Sequence, residues 1–272
     1  GGLHRTARRC AGDLGRMDLR DACTDRARDP GAPLALRFWA ARAGVLLGER
    51  QVCPKVLQAL ADAPGPWRRP SLDLILKMLD APQAAPLLQP LGRETGGERA
   101  LIKGIGMLGD SAFVPWLIDR MGDPAFARVC GESITLITGC ELDHPDFLLR
   151  TPEGDVASPV ALDDDASDES WAPLAEDDGL PLADAGRVAA WWVREGARFP
   201  GGQRFLLGAP ASVPTCVAVL RGGRQRQRVV AAEHLALVEA GRPLFNVEAP
   251  AWRQLRWLGE PARSPAASEG PP

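Results

Sequence analysis

Leu47-Gly48-Glu49-Arg50-Gln51-Val52-Cys53-Pro54, Leu108-Gly109-Asp110-Ser111-Ala112-Phe113-Val114-Pro115 and Leu207-Gly208-Ala209-Pro210-Ala211-Ser212-Val213-Pro214 align without a gap. In each, Pro follows the Gly by six residues, and apolar residues then recur at matching offsets: Val56 and Leu57, Leu117 and Ile118, Cys216 and Val217. A weaker copy begins at Leu14-Gly15, with Asp21 at the Pro position, and another runs from Leu79 to Leu91 with Pro86 there. Successive steps of 33, 32 and 29 residues suit one helical hairpin per repeat. The step from Pro115 to Pro214 is 99 residues, which leaves room for more repeats, an insertion, or both. Gly is expected to end one helix in a left-handed cap, and Pro is tolerated in the first turn of the next. A helix pair of this kind buries its apolar stripe only against neighbouring pairs, so several must stack.

Eight residues beyond the Pro position stand Asp29, Asp62 and Asp123, followed five to eight residues later by Arg37, Arg68 and Arg128. This order of Pro, Asp and Arg resembles the HEAT repeat of the PBS-lyase type. The resemblance implies an all-α fold, an α-solenoid of HEAT-like helix pairs. Second helices are expected from Leu34 to Leu47, Ser71 to Leu79, Arg99 to Leu108, Ala125 to Ile137 and Arg228 to Val238. The run Ser71 to Leu79 is apolar almost all round, which places it in the middle of a stack.

From Glu141 to Asp178 the helical periodicity gives way to Pro, Gly, Ser and Asp, with thirteen acidic residues against Arg150 alone. The densest part holds Asp163, Asp164, Asp165, Asp168 and Glu169. The chain has a net charge of −3, so its remainder is basic, and the near-neutral total conceals a polarised molecule. The expected organisation is repeats over 1–140, a flexible acidic insertion over 141–183, repeats over 184–260 and a disordered tail over 261–272. The insertion reads either as a solvated loop or as a regulatory segment that screens a basic face in the absence of a partner.

The C-terminal third is basic and aromatic. Arg221, Arg224, Arg226 and Arg228 fall within eight residues at a helix start, where they oppose the helix dipole. They call for counter-charge from Glu233, Glu239, the acidic loop or a partner. Three readings are open: bridging between repeats, an acidic protein surface, and nucleic-acid phosphate. The last expects a chain-wide basic excess and more Lys than Lys55, Lys77 and Lys103, so a protein with an acidic or mixed surface is the expected partner. Trp191, Trp192 and Arg204 complete the candidate binding set, although aromatic residues at helical spacing equally fit a core. The stretch from Trp191 through Arg204-Phe205-Leu206-Leu207-Gly208, Arg224 to Arg228, Leu244-Phe245-Asn246 and Ala249 to Gln254 is similar to the end of an uncharacterised bacterial family with HEAT-like repeats. Some members of that family are encoded near type VI secretion components, which implies an accessory or adaptor role.

Signs of chemistry are sparse. His144, within Glu141-Leu142-Asp143-His144-Pro145-Asp146, is flanked by carboxylates, but Pro145 breaks any helical ligand face. Neither a metal nor a cofactor is expected. Gly104-Ile105-Gly106-Met107-Leu108-Gly109 matches G-x-G-x-x-G in form, yet it should end a helix where the dinucleotide fingerprint opens one. The scattered cysteines Cys10, Cys23, Cys53, Cys130, Cys140 and Cys216 suggest buried thiols in a reducing compartment. The chain opens on Gly1, which reads as a trimmed N-terminus, and it has no signal-peptide core and no run of about 18 apolar residues. A soluble cytoplasmic scaffold without catalysis is therefore expected. By analogy of fold, a bilin lyase or a HEAT-like DNA glycosylase is the alternative, the second calling on Trp191, Trp192 and Asp184.

Overall fold

The computed structural model describes residues 9–149 and 177–259. They are mostly helical: α1 (Arg20–Arg28), α2 (Leu34–Leu46), α3 (Cys53–Asp62), α4 (Arg68–Met78), α5 (Ala81–Ala84), α6 (Gln89–Arg93), α7 (Glu98–Leu108), α8 (Val114–Arg120) and α9 (Ala127–Thr138), then α10 (Ala185–Glu195), α11 (Val213–Gly222), α12 (Gln225–Val238) and α13 (Ala251–Trp257). A two-stranded antiparallel hairpin, β1 (Phe205–Leu206) and β2 (Ala209–Pro210), lies between α10 and α11. Helices α2, α4, α7, α9 and α12 cover the five expected second helices, with ends shifted by up to three residues.

The repeat proline has one structural position. Pro54, Pro115 and Pro214 are each the second residue of their helices, α3, α8 and α11, where the missing N–H has no intrahelical acceptor to lose. Just ahead of α3 the Glu49 carboxylate accepts from the backbone N–H of Gln51 and Val52, and from that of Cys53, the first residue of the helix. Burial alone would raise the pKa of Glu49, but the Val52, Cys53 and Gln51 N–H groups outweigh it and hold the carboxyl below its usual range. Asp110 takes the N–H of Ala112 ahead of α8, and the Ser212 hydroxyl takes that of Thr215 at the start of α11.

The arginines early in the second helices also share a role. Arg37 in α2 donates Nε to the carbonyl of Ala27 in α1, and Arg68 in α4 donates Nε to that of Ala61 in α3. Arg228 in α12 likewise donates Nε to Leu220 in α11. A cation thus satisfies a C-terminal carbonyl of the preceding helix, at the negative end of its dipole. Arg128 departs from the pattern and reaches the carbonyl of Leu180 instead.

The chain forms two compact units, Gly1–Leu57 with Ser212–Pro272, and Gln58–Ala211, the division falling inside α3. In unit one, α1 packs on α2 and α11 on α12, and α12 also touches α2. Main-chain bonds tie the early and late parts of the chain within it: Gly241 N–H to Leu46 O at 3.0 Å and Leu244 N–H to Asp13 O at 2.9 Å. Arg50 adds a bond to Leu237 O at 2.6 Å. Arg42 is buried and neutralised by Asp13 at 2.6 Å.

In unit two, α4 packs on α7 and α7 on α9, while α8 lies against α9 and α10 against α8. Ile102, Ile105, Leu108, Ile134 and Ile137 are fully buried, and each contributes about 1.5–3 kcal/mol of apolar transfer. A Cβ at Gly106 would come within 2.8 Å of Ser133 Oγ, so the close approach of α7 and α9 depends on that Gly. The Ser133 hydroxyl uses the proximity to donate to Ile102 O at 3.0 Å.

The third repeat copy departs from the expected helix cap. Leu207 and Gly208, at φ 48° and 86°, form the two-residue turn between β1 and β2, whereas Gly109 at φ 76° is the left-handed cap of α7. Residues 204–208 instead supply donors to the ends of three helices. Phe205 N–H bonds Gly109 O at 2.8 Å, Leu207 N–H bonds Leu136 O at 2.7 Å and Gly208 N–H bonds Ile137 O at 3.0 Å. Arg204 donates to Leu108 O at 3.0 Å, Lys77 O at 2.8 Å and Leu79 O at 2.6 Å, and also to Leu76 O. This short strip closes the C-termini of α4, α7 and α9.

The two described margins of the acidic insertion fold onto unit two. Leu148 and Ala183 form an antiparallel bridge, Leu149 N–H bonds Leu182 O at 2.9 Å, and Asp184 N–H bonds Phe147 O at 2.7 Å. Leu142, Leu180 and Ala183 are buried, and Asp177 pairs with Arg99. The acidic run Asp163, Asp164, Asp165, Asp168 and Glu169 lies outside the described residues.

Candidate protein-binding surface

The seven residues singled out from sequence fall in different units and do different things. Unit one carries Arg221, Arg224, Arg226 and Arg228 on the α11–α12 hairpin; unit two carries Trp191, Trp192 and Arg204. The hairpin is built to turn tightly: α11 ends at Gly222, Gly223 follows, and Arg224 adopts an extended conformation as the residue preceding α12. Its N–H is taken by the buried Gln227 side chain at 2.8 Å, which fixes the first turn of α12. Arg221, Arg224 and Arg226 are left exposed around this turn.

Arg221 sits in the last turn of α11, where the dipole favours it, and one of its Nη atoms lies 3.3 Å from Leu258 O. Arg224 and Arg226 stand at the opposite end of a dipole, at the start of α12, where positive charge is disfavoured. Both guanidinium groups therefore stand against the local helix field at an exposed turn.

Arg228 is half-buried and does not belong with these three. Besides Leu220 O it donates to the Gln254 side chain, and its guanidinium lies 5.8 Å from the Phe245 ring centre. It fastens α13 onto the hairpin. Its spacing gives the role away: Arg228 follows Pro214 by fourteen residues, as Arg68 follows Pro54.

Arg204 is turned inward onto its four carbonyls, and burial lowers the pKa of its guanidinium. Trp192 stacks on Phe199 at 5.9 Å, Trp191 lies 6.4 Å from the same ring, and Phe199 meets Phe205 edge-on at 5.4 Å. Both tryptophans are half-buried in this cluster. Arg204 and the two tryptophans therefore hold unit two together, and the exposed candidate surface contracts to Arg221, Arg224 and Arg226.

The units also differ in charge. Described residues of unit one hold sixteen Lys and Arg against nine Asp and Glu; those of unit two hold twelve against sixteen. The basic character expected of the chain outside its insertion is concentrated in unit one.

Burial pushes the Cys53, Cys130 and Cys140 thiols up to about 12 and that of Cys216 to about 11, the reverse of what a nucleophilic Cys requires. His144 accepts the N–H of Asp146 on Nδ1 at 3.3 Å and stands exposed. Among the described residues, no group of three or more His, Cys, Asp and Glu is placed to hold a metal ion, and no helix is long and apolar enough to cross a membrane. No protein-family model, curated protein or solved structure matches the chain.

Proposed function

We propose that the chain is a protein-binding adaptor without catalysis, built as a solenoid of HEAT-like helix pairs, and that its basic unit one receives an acidic protein surface. The observation that carries this reading is the exposed arginine turn: Arg221, Arg224 and Arg226 project around Gly222 and Gly223 in the unit that also holds the positive excess. The stacking of α4, α7 and α9 in unit two supports the repeat reading, since each neighbour covers an apolar face that a lone hairpin would expose. An accessory role in a bacterial secretion system is compatible with an adaptor and rests on the resemblance alone.

Immobilised full-length chain, exposed to a soluble extract of its host and eluted along a salt gradient, provides the test. The reading expects a discrete protein that leaves as ionic strength rises and rebinds when purified, because contacts between exposed charges weaken over a Debye length of about 8 Å at physiological salt. Elution of nucleic acid alone, or of proteins that fail to rebind once purified, refutes it.

A further inference from the structure

The arginine turn carries charge but no apolar side chain: residues 221–226 read Arg-Gly-Gly-Arg-Gln-Arg. Stable interfaces bury about 800 Å² on each partner and set an apolar, desolvated core inside a polar rim. A docking surface built on this turn must therefore reach an apolar neighbour.

Helix α13 is fastened to the turn. Gln225 Nε2 donates to Val247 O at 3.2 Å, Arg228 donates to the Gln254 side chain, and an Arg221 Nη atom lies 3.3 Å from Leu258 O. The inner side of α13 is occupied, since Trp257 meets Phe245 edge-on at 4.7 Å and lies 4.6 Å from the Arg242 guanidinium. The outer side is bare. Trp252 is 58% exposed and is the one exposed aromatic side chain among the described residues. Its ring meets no other ring and no arginine among them. Trp252 and Arg256 stand four residues apart and share a helix face, with Arg253 beside them. Arg253 and Arg256 are exposed and make no ion pair among the described residues. Residues 221–228 and 246–259 together hold six arginines against one carboxylate, Glu248.

We infer that Trp252 is the apolar anchor of the arginine turn, and that the partner protein meets it with an apolar patch rimmed by carboxylates. Trp and Arg are the side chains that most often carry interface energy, the indole by being desolvated and the guanidinium by pairing with carboxylates. The exposed Arg221, Arg224, Arg226, Arg253 and Arg256 call for a surface of opposite sign. α13 exposes one indole and Ala251, not the broad apolar face with which a helix enters a lipid surface. The inference rests on the arginine turn being the docking surface, and adds its apolar centre and the pattern of what covers it.

The probe is a fluorescein-labelled nonapeptide, Asp-Glu-Asp-Leu-Phe-Leu-Asp-Glu-Asp, titrated against the full chain at low salt and followed by anisotropy. Saturable binding is expected, weakened about tenfold by Trp252→Ser and about tenfold by Arg253→Glu with Arg256→Glu. A control peptide with Ser in place of Leu-Phe-Leu should bind the parent about tenfold more weakly. It should lose less than about twofold on Trp252→Ser, because it has no apolar group to cover the ring. All three positions are exposed, and unchanged melting of each variant shows that the fold is kept.

Equal loss of both peptides on Trp252→Ser, loss of neither, or no saturable binding of the first overturns Trp252 as the anchor. Binding kept with Trp252→Ser but lost with Arg221→Glu, Arg224→Glu and Arg226→Glu overturns the anchor and leaves the arginine turn standing. Binding kept in both removes the turn as well. Tighter binding of a single-stranded oligothymidine or of phosphatidylserine vesicles, lost in the same variants, overturns a protein as the occupant.

Discussion

Leu108-Gly109 and Leu207-Gly208 are the same dipeptide at the same place in the repeat, yet one ends an eleven-residue helix and the other turns a two-stranded hairpin. What they share is only the left-handed Gly, at φ 76° and 86°. That conformation serves a helix C-terminus and a tight hairpin equally. The surroundings decide between them: α7 feeds the first, whereas Pro200, Gly201 and Gly202 interrupt the chain just ahead of the second. The difference has a structural use, because the hairpin copy offers its N–H groups to carbonyls that the helical copy and α9 leave unpaired.

Removing the largest single contribution of the hairpin copy breaks the comparison most severely. Arg204→Ala is expected to lower unfolding free energy by about 4 kcal/mol in urea titrations, since it abandons carbonyls at the ends of α4 and α7. Arg204→Lys should recover only part, because one ammonium cannot address all four. A loss below about 1 kcal/mol would mean that water replaces the guanidinium.

The glycines themselves come next. A Cβ at Gly109 would lie 2.5 Å from Phe205 O, and one at Gly208 would lie 2.6 Å from Thr138 O, both rigid backbone atoms. Gly109→Ala and Gly208→Ala are each expected to cost about 2–4 kcal/mol, the double variant less than the sum because both disturb one strip. Gly179→Ala, with positive φ but open space, measures the backbone cost alone at about 1 kcal/mol.

Arg228 sharpens the contrast between repeat and surface. Arg228→Ala should cost about 1–2 kcal/mol by freeing the Leu220 carbonyl and α13, with Arg224→Ala within about 0.5 kcal/mol of the parent.

The smallest effect concerns the residue after the Gly. Glu49 and Asp110 cap the next helical turn in the first two copies; in the third, Ala209 cannot, and Ser212 caps instead. Glu49→Gln should cost about 1 kcal/mol at pH 7. Because the folded pKa of Glu49 is depressed, this difference should be present above about pH 4.3, the ordinary value for Glu, and fade as pH falls through the folded value. Stability curves of parent and variant should converge in acid; a constant gap would show that the charge is irrelevant.

Five second helices and the position of the repeat Pro were legible because apolar periodicity and helix-start chemistry are local signals. The hairpin was hidden for a physical reason: Leu207-Gly208 states a backbone conformation and says nothing of what precedes it. Pro200-Gly201-Gly202 was the available warning. The packed margins around Leu142, Leu148, Leu180 and Leu182 were submerged in an acidic composition whose densest run lies well inside them. The candidate surface was half legible. Clustered arginines were visible, but the half-burial of Arg228 against Leu220 and Gln254, the exposure of the other three and the inward turn of Arg204 depend on tertiary packing that no local pattern states.

The most direct test of the arginine turn is binding of the purified partner to the Arg221→Glu, Arg224→Glu, Arg226→Glu variant beside its thermal melting. At least a hundredfold loss of affinity is expected, with a melting temperature within about 2 °C of the parent. Undiminished binding by a folded triple variant would contradict it.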